Sequence, residues 1–341
     1  MAIVETLFVE TFGAFIGKHS ERIIVTKGKE TLVQAPLMHL KQITVASMGV
    51  SISADAIKEC CERGIPIFFV DSSGDQYASV QSPGLVGTVK TRRSQFAAYY
   101  DGRGTQIAIW IAAAKINNQV ATLKYMAKTR KESHPALYDA FHQAALEMLH
   151  YAEQLSELAG GTLEDVRNYL MSAEAHAAIH YWGVLRAVVP DSYGWEKRIG
   201  RGATDPVNSL LNYGYGMLRG RVEQAIVNAG LDPYAGFIHA DRPGKHSLTF
   251  DLMEEFRSVA VDRKVIGLVN RNYGIKMTNQ GLLEDETRKD FATQITEHLK
   301  ATVRYLGERF AIEYVIQNQA RRLASYLRGE TEEYTAYKAE W

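Results

Sequence analysis

The chain has 341 residues, of which 46% are hydrophobic and 23% charged, so it can bury a sizeable core in one large or two smaller domains. Lys and Arg together number 39, as do Asp and Glu, and this balance excludes a global charge argument for binding an anionic polymer. The chain has no run of about eighteen apolar residues and does not begin with a secretion signal, so we expect a cytoplasmic protein with no membrane partner. Cys60 and Cys61 are adjacent, which suits neither a stable disulfide nor a metal site and predicts thiols in the core.

Short alternating segments dominate the first part of the chain. Apolar and polar residues alternate over residues 6–36 and continue over 42–45, a pattern that predicts a small antiparallel sheet. Ser53 is then expected to cap a short helix. A buried strand is predicted over 65–70, with a turn at 72–75 that reverses the chain.

The hydrophobic pattern changes near Gly84. Before this point the period is close to two, whereas beyond it the period approaches 3.6 and the apolar segments become long. We therefore predict an α+β protein. It consists of a small N-terminal β-sheet domain over 1–84, a linker over 85–95 and a larger all-helical domain over 96–341.

Helical spacing is the main signal in the second domain. Residues 96–128 and 137–158 are each predicted to form one helix. A third helix begins after Thr162 and runs to about Val188, and Asp165 stands where a capping box usually has Glu. Further helices are predicted after the N-cap Asp205 and over residues 286–306 and 312–327.

Glu174 is the least expected side chain in this pattern. Leu170, Ala177 and Tyr181 share its face of the third helix, so the carboxylate lies within an apolar stripe. An unpaired carboxylate in such a place would be costly. Glu174 therefore needs a positive partner, either a basic side chain such as arginine or a metal ion.

A second polar cluster occupies residues 236–257. A short apolar run ends at His239, and after a turn a helix-like segment carries Asp251, Glu254 and Glu255. An imidazole that faces a carboxylate can hold a divalent cation, although the compact zinc spacing H-E-x-x-H is absent. The alternative is a buried His239 beside a solvated, acidic helix start, because acidic residues are favoured in the first turn of any helix. We expect Glu255 to be a solvated neighbour.

Basic residues are concentrated between Val86 and Lys131. This block contains a single acidic residue, Asp101. Such a one-sided block is typical of a surface that faces phosphates, and a solvated helix face is the alternative. The basic residues are Lys90, Arg92, Arg93, Arg103, Lys115, Lys124, Lys128, Arg130 and Lys131.

Four segments, taken in order, resemble the CRISPR-associated integrase family, whose members carry out spacer acquisition. They are Glu174 within Ser-Ala-Glu-Ala, the run from Asp205-Pro-Val-Asn208 to Tyr215, Gly236-Phe-Ile-His239, and the run from Ser247 to Arg257. Each segment alone is a weak signal, whereas four in the family's order are specific. The resemblance covers nearly the whole chain and implies an N-terminal β-sheet domain joined to a helical catalytic domain, in agreement with the change of period near Gly84.

The resemblance also implies a metal site. Carried over by position, its ligands are Glu174, His239 and Glu254, with Asp251 close by and able to coordinate through water. Such a site has no cysteine and favours Mg²⁺ or Mn²⁺ over structural zinc. Tyr215 is included as a catalytic candidate that positions the DNA backbone or leaving strand, although by pattern alone it is a core tyrosine.

DNA, both as a spacer duplex and as the CRISPR repeat, is the implied substrate. The family also implies a homodimer formed through the sheet domain, with a small second Cas protein that bridges two dimers. The loop over 195–204 lacks the usual pair of prolines, which leaves the direction of Arg198 open. The expected nucleic-acid contacts are Arg92, Arg93, Arg198, Arg201, Lys245 and Arg257.

The sequence thus predicts an integrase that joins the 3′-hydroxyl ends of a short DNA to the repeat, with an associated endonuclease activity. One alternative is a stand-alone metal-dependent nuclease acting on branched or single-stranded nucleic acid. Another is a non-catalytic DNA-binding scaffold in which Glu174 pairs with an arginine such as Arg257 inside the core. A helical metabolic enzyme has no support, because no glycine-rich phosphate loop or nucleophile elbow is found.

Overall fold

The computed structural model describes residues 4–71, 76–80, 89–158 and 161–340. The chain divides into two compact units, Met1–Val86 and Gly87–Trp341. The predicted turn at 72–75 and the predicted boundary at Gly84 lie outside the described residues.

The first unit contains two sheets, each with four strands among the described residues, and one helix. One sheet has the order β1-β5-β7-β8 and the other has the order β4-β3-β2-β6. The elements are β1 (Thr6–Val9), β2 (Phe15–His19), β3 (Arg22–Lys27), β4 (Glu30–Pro36), β5 (Gln42–Val45), β6 (Ser51–Ile52), α1 (Ala54–Glu62), β7 (Ile67–Val70) and β8 (Gln76–Val80).

The prediction of an antiparallel sheet is confirmed for β2, β3 and β4, but wrong for β1, β5 and β6. β5 lies parallel to both β1 and β7, and β6 is parallel to β2. Alternation along a strand reports its two faces and carries no information about which strand pairs with it. The connection from β5 to β7 passes through α1, and a crossover of this kind returns the chain in the parallel direction.

The core of the first unit lies between its sheets and α1. Ile16, Ile23 and Ile43 are fully buried in it, and the side chain of Ser53 caps α1 as predicted. Cys60 is buried in the same core, where burial raises the pKa of its thiol to about 12. The prediction of a core thiol is therefore confirmed for this cysteine.

The second unit is mostly helical, which confirms the predicted fold class. Its helices are α2 (Val89–Ala98), α3 (Gly102–Ala127), α4 (Pro135–Ser156), α5 (Leu163–Arg186), α6 (Pro206–Asn228), α7 (Ser247–Glu254), α8 (Arg263–Val269), α9 (Asp285–Lys300) and α10 (Ile312–Leu327). A π-helical turn, Ser258–Asp262, precedes α8, and a hairpin of β9 (Thr302–Tyr305) and β10 (Glu308–Ala311) follows α9. In the part of the chain described, no helix is both long and apolar enough to cross a bilayer.

Two predicted helices end differently in the structure. The helix predicted over 96–128 is divided, because Asp101 accepts a hydrogen bond from Arg103 N–H at 3.0 Å and so caps the start of α3. The segment predicted as a linker is helical from Val89 onwards. The helix predicted to reach Leu306 ends at Lys300, because the residues that follow form a β-hairpin. Leu306 and the following glycine adopt positive φ angles of 52° and 83° and form the turn of this hairpin.

Local capping signals were read correctly. Thr162 and Asp165 form the reciprocal capping box of α5, and the Asp205 side chain caps α6. Helix α3 is largely buried and packs against α4, α5 and α7. It thereby brings side chains from three helices to one place.

Candidate active site

Lys115 of α3 joins the two carboxylates that the sequence singled out. Its Nζ lies 2.8 Å from Glu174 Oε2 on α5 and 3.1 Å from Glu254 Oε2 on α7. The three side chains are only 17%, 15% and 3% exposed, respectively. Burial opposes the charge on Lys115, but the two carboxylates outweigh it, so the pKa of this lysine is raised. Lys115 is therefore the positive partner that Glu174 requires.

Glu254 has a second cation beside it. Arg257 Nη1 lies 3.2 Å from Glu254 Oε1, one turn along the chain. Burial raises the pKa of the Glu254 carboxyl, but Arg257, Lys115 and His239 together lower it below its ordinary value. Glu254 is thus an ionised carboxylate at neutral pH. Arg257 therefore forms an ion pair with Glu254. The scaffold alternative had instead paired Arg257 with Glu174.

Asp251 holds the loop that carries His239. Asp251 Oδ2 accepts hydrogen bonds from the N–H groups of Phe237 and Ile238, at 2.5 and 3.0 Å. Its Oδ1 accepts from His239 N–H at 3.0 Å and lies 2.6 Å from His239 Nδ1. Four hydrogen bonds use the acceptor capacity of a carboxylate. This fully buried residue therefore orients the candidate ligand His239, and its own role as a metal ligand stays a prediction.

Gly236 explains why the loop can reach Asp251. A Cβ atom at this position would lie 2.6 Å from the backbone of Ser247 and 2.7 Å from Asp251 Oδ2. Only glycine permits so close an approach. The motif Gly-Phe-Ile-His therefore supplies one glycine for contact, three N–H donors and an imidazole.

Helix α7 connects the two parts of the site. Asp251 and Glu254 are three residues apart on α7, so they share one face of this helix. His239, which is bonded to Asp251, is close enough to Glu254 to lower its pKa. The structure thus joins Glu174 to Glu254 through Lys115 and places His239 within electrostatic range of Glu254.

The donor atoms of this cluster fit a hard divalent cation. Glu174 Oε1 and Glu254 Oε2 are buried and have no hydrogen-bond partner, although Lys115 Nζ approaches the latter. Buried acceptors without a partner are costly, and carboxylate oxygens are the ligands that Mg²⁺ and Mn²⁺ prefer. Within the described residues, no three His, Cys, Asp or Glu side chains lie in an arrangement that could hold a metal ion together. In this arrangement the ammonium of Lys115 neutralises the carboxylates.

Tyr215 lies at the edge of the cluster with its hydroxyl engaged. It donates a hydrogen bond to Asp262 of the π-helical turn, and Tyr181 donates to the same carboxylate at 3.0 Å. Burial raises the pKa of Asp262 to about 6, against the opposing effect of these hydrogen bonds. The guanidinium carbons of Arg198 and Arg257 lie 5.2 and 4.7 Å from the centre of the Tyr215 ring. Tyr215 therefore positions two cations, and its catalytic role stays a prediction.

Asn208 fixes the loop that lacks the expected prolines. Its Oδ1 accepts from Ile199 N–H at 3.0 Å and from Arg198 Nη1 at 3.1 Å. Its Nδ2 donates to Asp205 Oδ2 at 2.7 Å and to the Lys197 carbonyl at 2.8 Å. The direction of Arg198, which the sequence left open, is thus set by the start of α6.

The predicted basic block does not form a single surface. Arg103 bonds to Asp101, and Lys115 belongs to the buried cluster.

The expected nucleic-acid contacts differ in their exposure. Arg93 and Arg201 are exposed, whereas Arg92 is half-buried. Lys245 lines a cavity of about 490 Å³ together with Arg242 and Tyr234, and burial and Arg242 lower the pKa of this lysine.

The expectation of a solvated Glu255 is wrong. This carboxylate is fully buried and accepts hydrogen bonds from Tyr334, from Gln319 Nε2 at 2.9 Å and from Tyr337 N–H at 2.7 Å. Burial raises its pKa to about 7. The segment after α10 covers this residue, and no pattern around residue 255 could have shown that.

Lys115 is the main residue that sequence reasoning missed as part of the site. A signal was present, because Lys115 is the only charged residue between Arg103 and Lys124 in a strongly apolar helix. A lone cation in an apolar helix needs a buried anion, by the same argument that applied to Glu174.

Known proteins resemble this chain over most of its length. A family profile described as CRISPR associated protein Cas1 matches residues 7–297. A protein of Archaeoglobus fulgidus named CRISPR-associated endonuclease Cas1 1 is 34% identical over 346 residues, which cover 98% of this chain and 99% of the relative.

The fold is similar to that of solved structures as well. A casposase bound to integration product matches with a TM-score of 0.82 and 23% identity, over 99% of this chain and 95% of that one. A Cas6-RT-Cas1–Cas2 complex contains a chain that matches with a TM-score of 0.78 and 19% identity, over 99% of this chain and 37% of that one. Together with the predicted order of motifs, the profile and the full-length relative give one conclusion: this chain belongs to the Cas1 family.

Proposed function

We propose that this protein is an adaptation integrase that joins the 3′-hydroxyl ends of a short spacer DNA to a CRISPR repeat, with an associated endonuclease activity. The observation that carries the proposal is the pair of buried carboxylates Glu174 and Glu254. Glu174 Oε1 has no hydrogen-bond partner, and Glu254 Oε2 has only the Lys115 ammonium, 3.1 Å away. Membership of a family with relatives named endonucleases supports the same chemistry.

Glu174, His239 and Glu254 would hold the cation, Mg²⁺ or Mn²⁺. When bound, such an ion polarises a phosphodiester and stabilises the charge that develops on it. The Nδ1–H of His239 donates to Asp251, which leaves its Nε2 lone pair available for coordination. The attacking group in strand transfer is the 3′-hydroxyl of the donor, so no nucleophilic side chain is required.

Cationic side chains around the cluster would bind the phosphates. Arg257 and Arg198 flank Tyr215, and their guanidinium groups offer planar donors to phosphate oxygens. Arg92, Arg93, Arg201 and Lys245 are the further expected contacts. Their contribution is independent of DNA sequence and decreases as salt increases.

The assembly we propose is a homodimer formed through the β-sheet unit, with two dimers bridged by a small Cas2-type partner. The similarity of fold to a chain in a Cas6-RT-Cas1–Cas2 complex supports the Cas2-type partner. The partner is required in the assay below for that reason.

The test is an integration assay with a 3′-hydroxyl duplex donor, a supercoiled target that contains the repeat, Mn²⁺ and the candidate partner. The native protein is expected to yield a strand-joined product, and Glu174→Ala is expected to abolish it without preventing folding or DNA binding. Glu153→Ala, an exposed position on α4, serves as the matched control. Full activity of Glu174→Ala would remove this assignment of the site.

A stand-alone nuclease would need the same residues, and the names of the relatives keep this candidate open. Product analysis distinguishes the two functions, because strand transfer joins two DNA molecules whereas hydrolysis only cleaves. A metal-dependent cleavage product without any joined product would favour the nuclease.

A further inference from the structure

The hairpin after α9 places two arginines opposite each other. Arg304 of β9 and Arg309 of β10 are direct cross-strand partners, so their side chains leave the same face of the hairpin. Like charges in this position destabilise an antiparallel pair. A sequence that retains such a pair gains something that offsets the repulsion.

No carboxylate relieves this repulsion among the described residues. Arg309 donates to Thr302, from Nε to Oγ1 at 3.2 Å and from Nη2 to the carbonyl at 3.3 Å. Arg304 makes no hydrogen bond or ion pair with any residue of the described part of the chain. Both side chains are exposed and can reach an incoming ligand.

The two arginines line a cavity of about 570 Å³. Arg263 of α8 reaches the same cavity, with its guanidinium carbon 3.5 Å from the centre of the Tyr125 ring. Glu340 is the one acidic side chain in the lining. Three arginines therefore line one concave surface, and such a lining suits an oxyanion.

We propose that this cavity is a second nucleic-acid contact, which binds a phosphate group of the DNA backbone apart from the Glu174–Lys115–Glu254 cluster. A phosphate between Arg304 and Arg309 would replace repulsion by two attractive, charge-assisted contacts. The choice of DNA as the ligand rests on the proposed function. A small free anion such as inorganic phosphate is the competing ligand, because it offers the same phosphate oxygens.

The cavity shares a structural element with the candidate active site. Val259 in its lining belongs to the π-helical turn whose Asp262 holds Tyr215. A strand bound at the cavity therefore contacts the same turn that orients Arg198 and Arg257 through Tyr215.

The test compares the salt dependence of duplex DNA binding for the full-length protein and for the double variant Arg304→Gln/Arg309→Gln. Each lost phosphate contact should reduce the slope of log Kd against log salt by about 0.9. With one phosphate lost, we expect a reduction of about 0.9 and a Kd about tenfold weaker at fixed salt. Arg271→Gln is the control, because Arg271 is also exposed but donates to its own helix at the Gly267 carbonyl and does not line the cavity. Equal slopes for the double variant and the control would overturn the proposal.

Thermal unfolding separates a binding role from a structural one. Since Arg304→Gln removes a like-charge contact, it should unfold no earlier than the native protein at low salt. Inorganic phosphate should raise the Tm of the native protein more than that of the variant. If the variant has a lower Tm and phosphate stabilises it as much as the native protein, the proposal is contradicted. It is also contradicted if the variant no longer responds to phosphate but the salt slope of its DNA binding is unchanged, because the cavity would then be a site for small anions.

The strand-transfer assay keeps this inference distinct from the proposed function. The double variant should still give joined product at saturating DNA, because its catalytic cluster is intact. If the native protein gives no joined product, the proposed function fails, yet the comparison of binding slopes still decides whether the cavity holds DNA.

Discussion

Replacing Lys115 by methionine would remove the cation that joins Glu174 and Glu254. Methionine keeps an unbranched side chain of similar length, so the main loss is the ammonium itself. Removing one member of a buried ion pair costs about 3–5 kcal/mol, because the remaining charge stays buried without compensation. Since the three side chains are at most 17% exposed, solvent screens this loss little.

For a unit of this size, about 1 kcal/mol corresponds to about 2–4 °C in Tm. We therefore expect Lys115→Met to unfold about 10 °C below the native protein when melted in a chelating buffer. Lys124→Met is the matched control, because Lys124 lies on the same helix but is exposed, and its Tm should change little.

Adding Mn²⁺ tests whether the same oxygens can hold a metal ion. The ammonium of Lys115 and a divalent cation compete for the carboxylates, so Mn²⁺ should raise the Tm of Lys115→Met more than that of the native protein. At a concentration of about one hundred times its Kd, a ligand stabilises the folded state by about 2.7 kcal/mol, which would recover much of the loss. If the variant is as stable as the native protein in chelator, or if Mn²⁺ changes both equally, the reasoning about this cluster is refuted.

Three further predictions concern the surroundings of the cluster. Folding raises the pKa of Asp262 from its ordinary 3.8 to about 6, so the folded state binds the proton more tightly than the unfolded state. Asp262 should therefore contribute a fall of about 3 kcal/mol in the free energy of unfolding as pH rises from about 4 to about 6. In urea titrations at a series of pH values, Asp262→Asn should remove this contribution and leave that of Glu255, whose pKa is raised to about 7. Gly236→Ala should displace the loop and lower strand transfer at least about tenfold, whereas Gly200→Ala, where an added Cβ meets nothing within 4 Å, should be silent. Asp251→Asn should weaken Mn²⁺ binding about 10–100-fold in calorimetric titration, and an unchanged affinity would show that it does not orient the histidine.

Local signals predicted the parts of the fold that neighbouring residues determine. The capping box of Thr162 and Asp165 and the N-cap Asp205 could be predicted, because each cap and the group it bonds lie within one helical turn. The burial of Glu174 in an apolar stripe likewise predicted a positive partner. The sequence did not identify that partner, because Lys115 lies 59 residues from Glu174. Its basic neighbours in the sequence had placed Lys115 in a surface block.

The remaining errors have the same physical origin. Glu255 follows a helix that looked solvated, and its hydrogen-bond partners are supplied by residues 64 to 82 positions later. Strand pairing in the first unit depends on which crossover connects the strands, which alternation does not encode. The hairpin over 302–311 was missed because its two short strands follow α9 directly and were read as a continuation of the helix.

The contacts of Glu255 also bear on how the chain is made. Because Tyr334 and Tyr337 complete the surroundings of the residue next to Glu254, α7 cannot reach its final environment until those tyrosines have left the ribosome. Asn118 of α3 adds to this dependence, since it bonds both to the Glu255 carbonyl and to the Tyr337 carbonyl. The first unit can fold earlier, as domains generally do during synthesis. A nascent chain would therefore carry a folded sheet unit before the surroundings of α7 are complete.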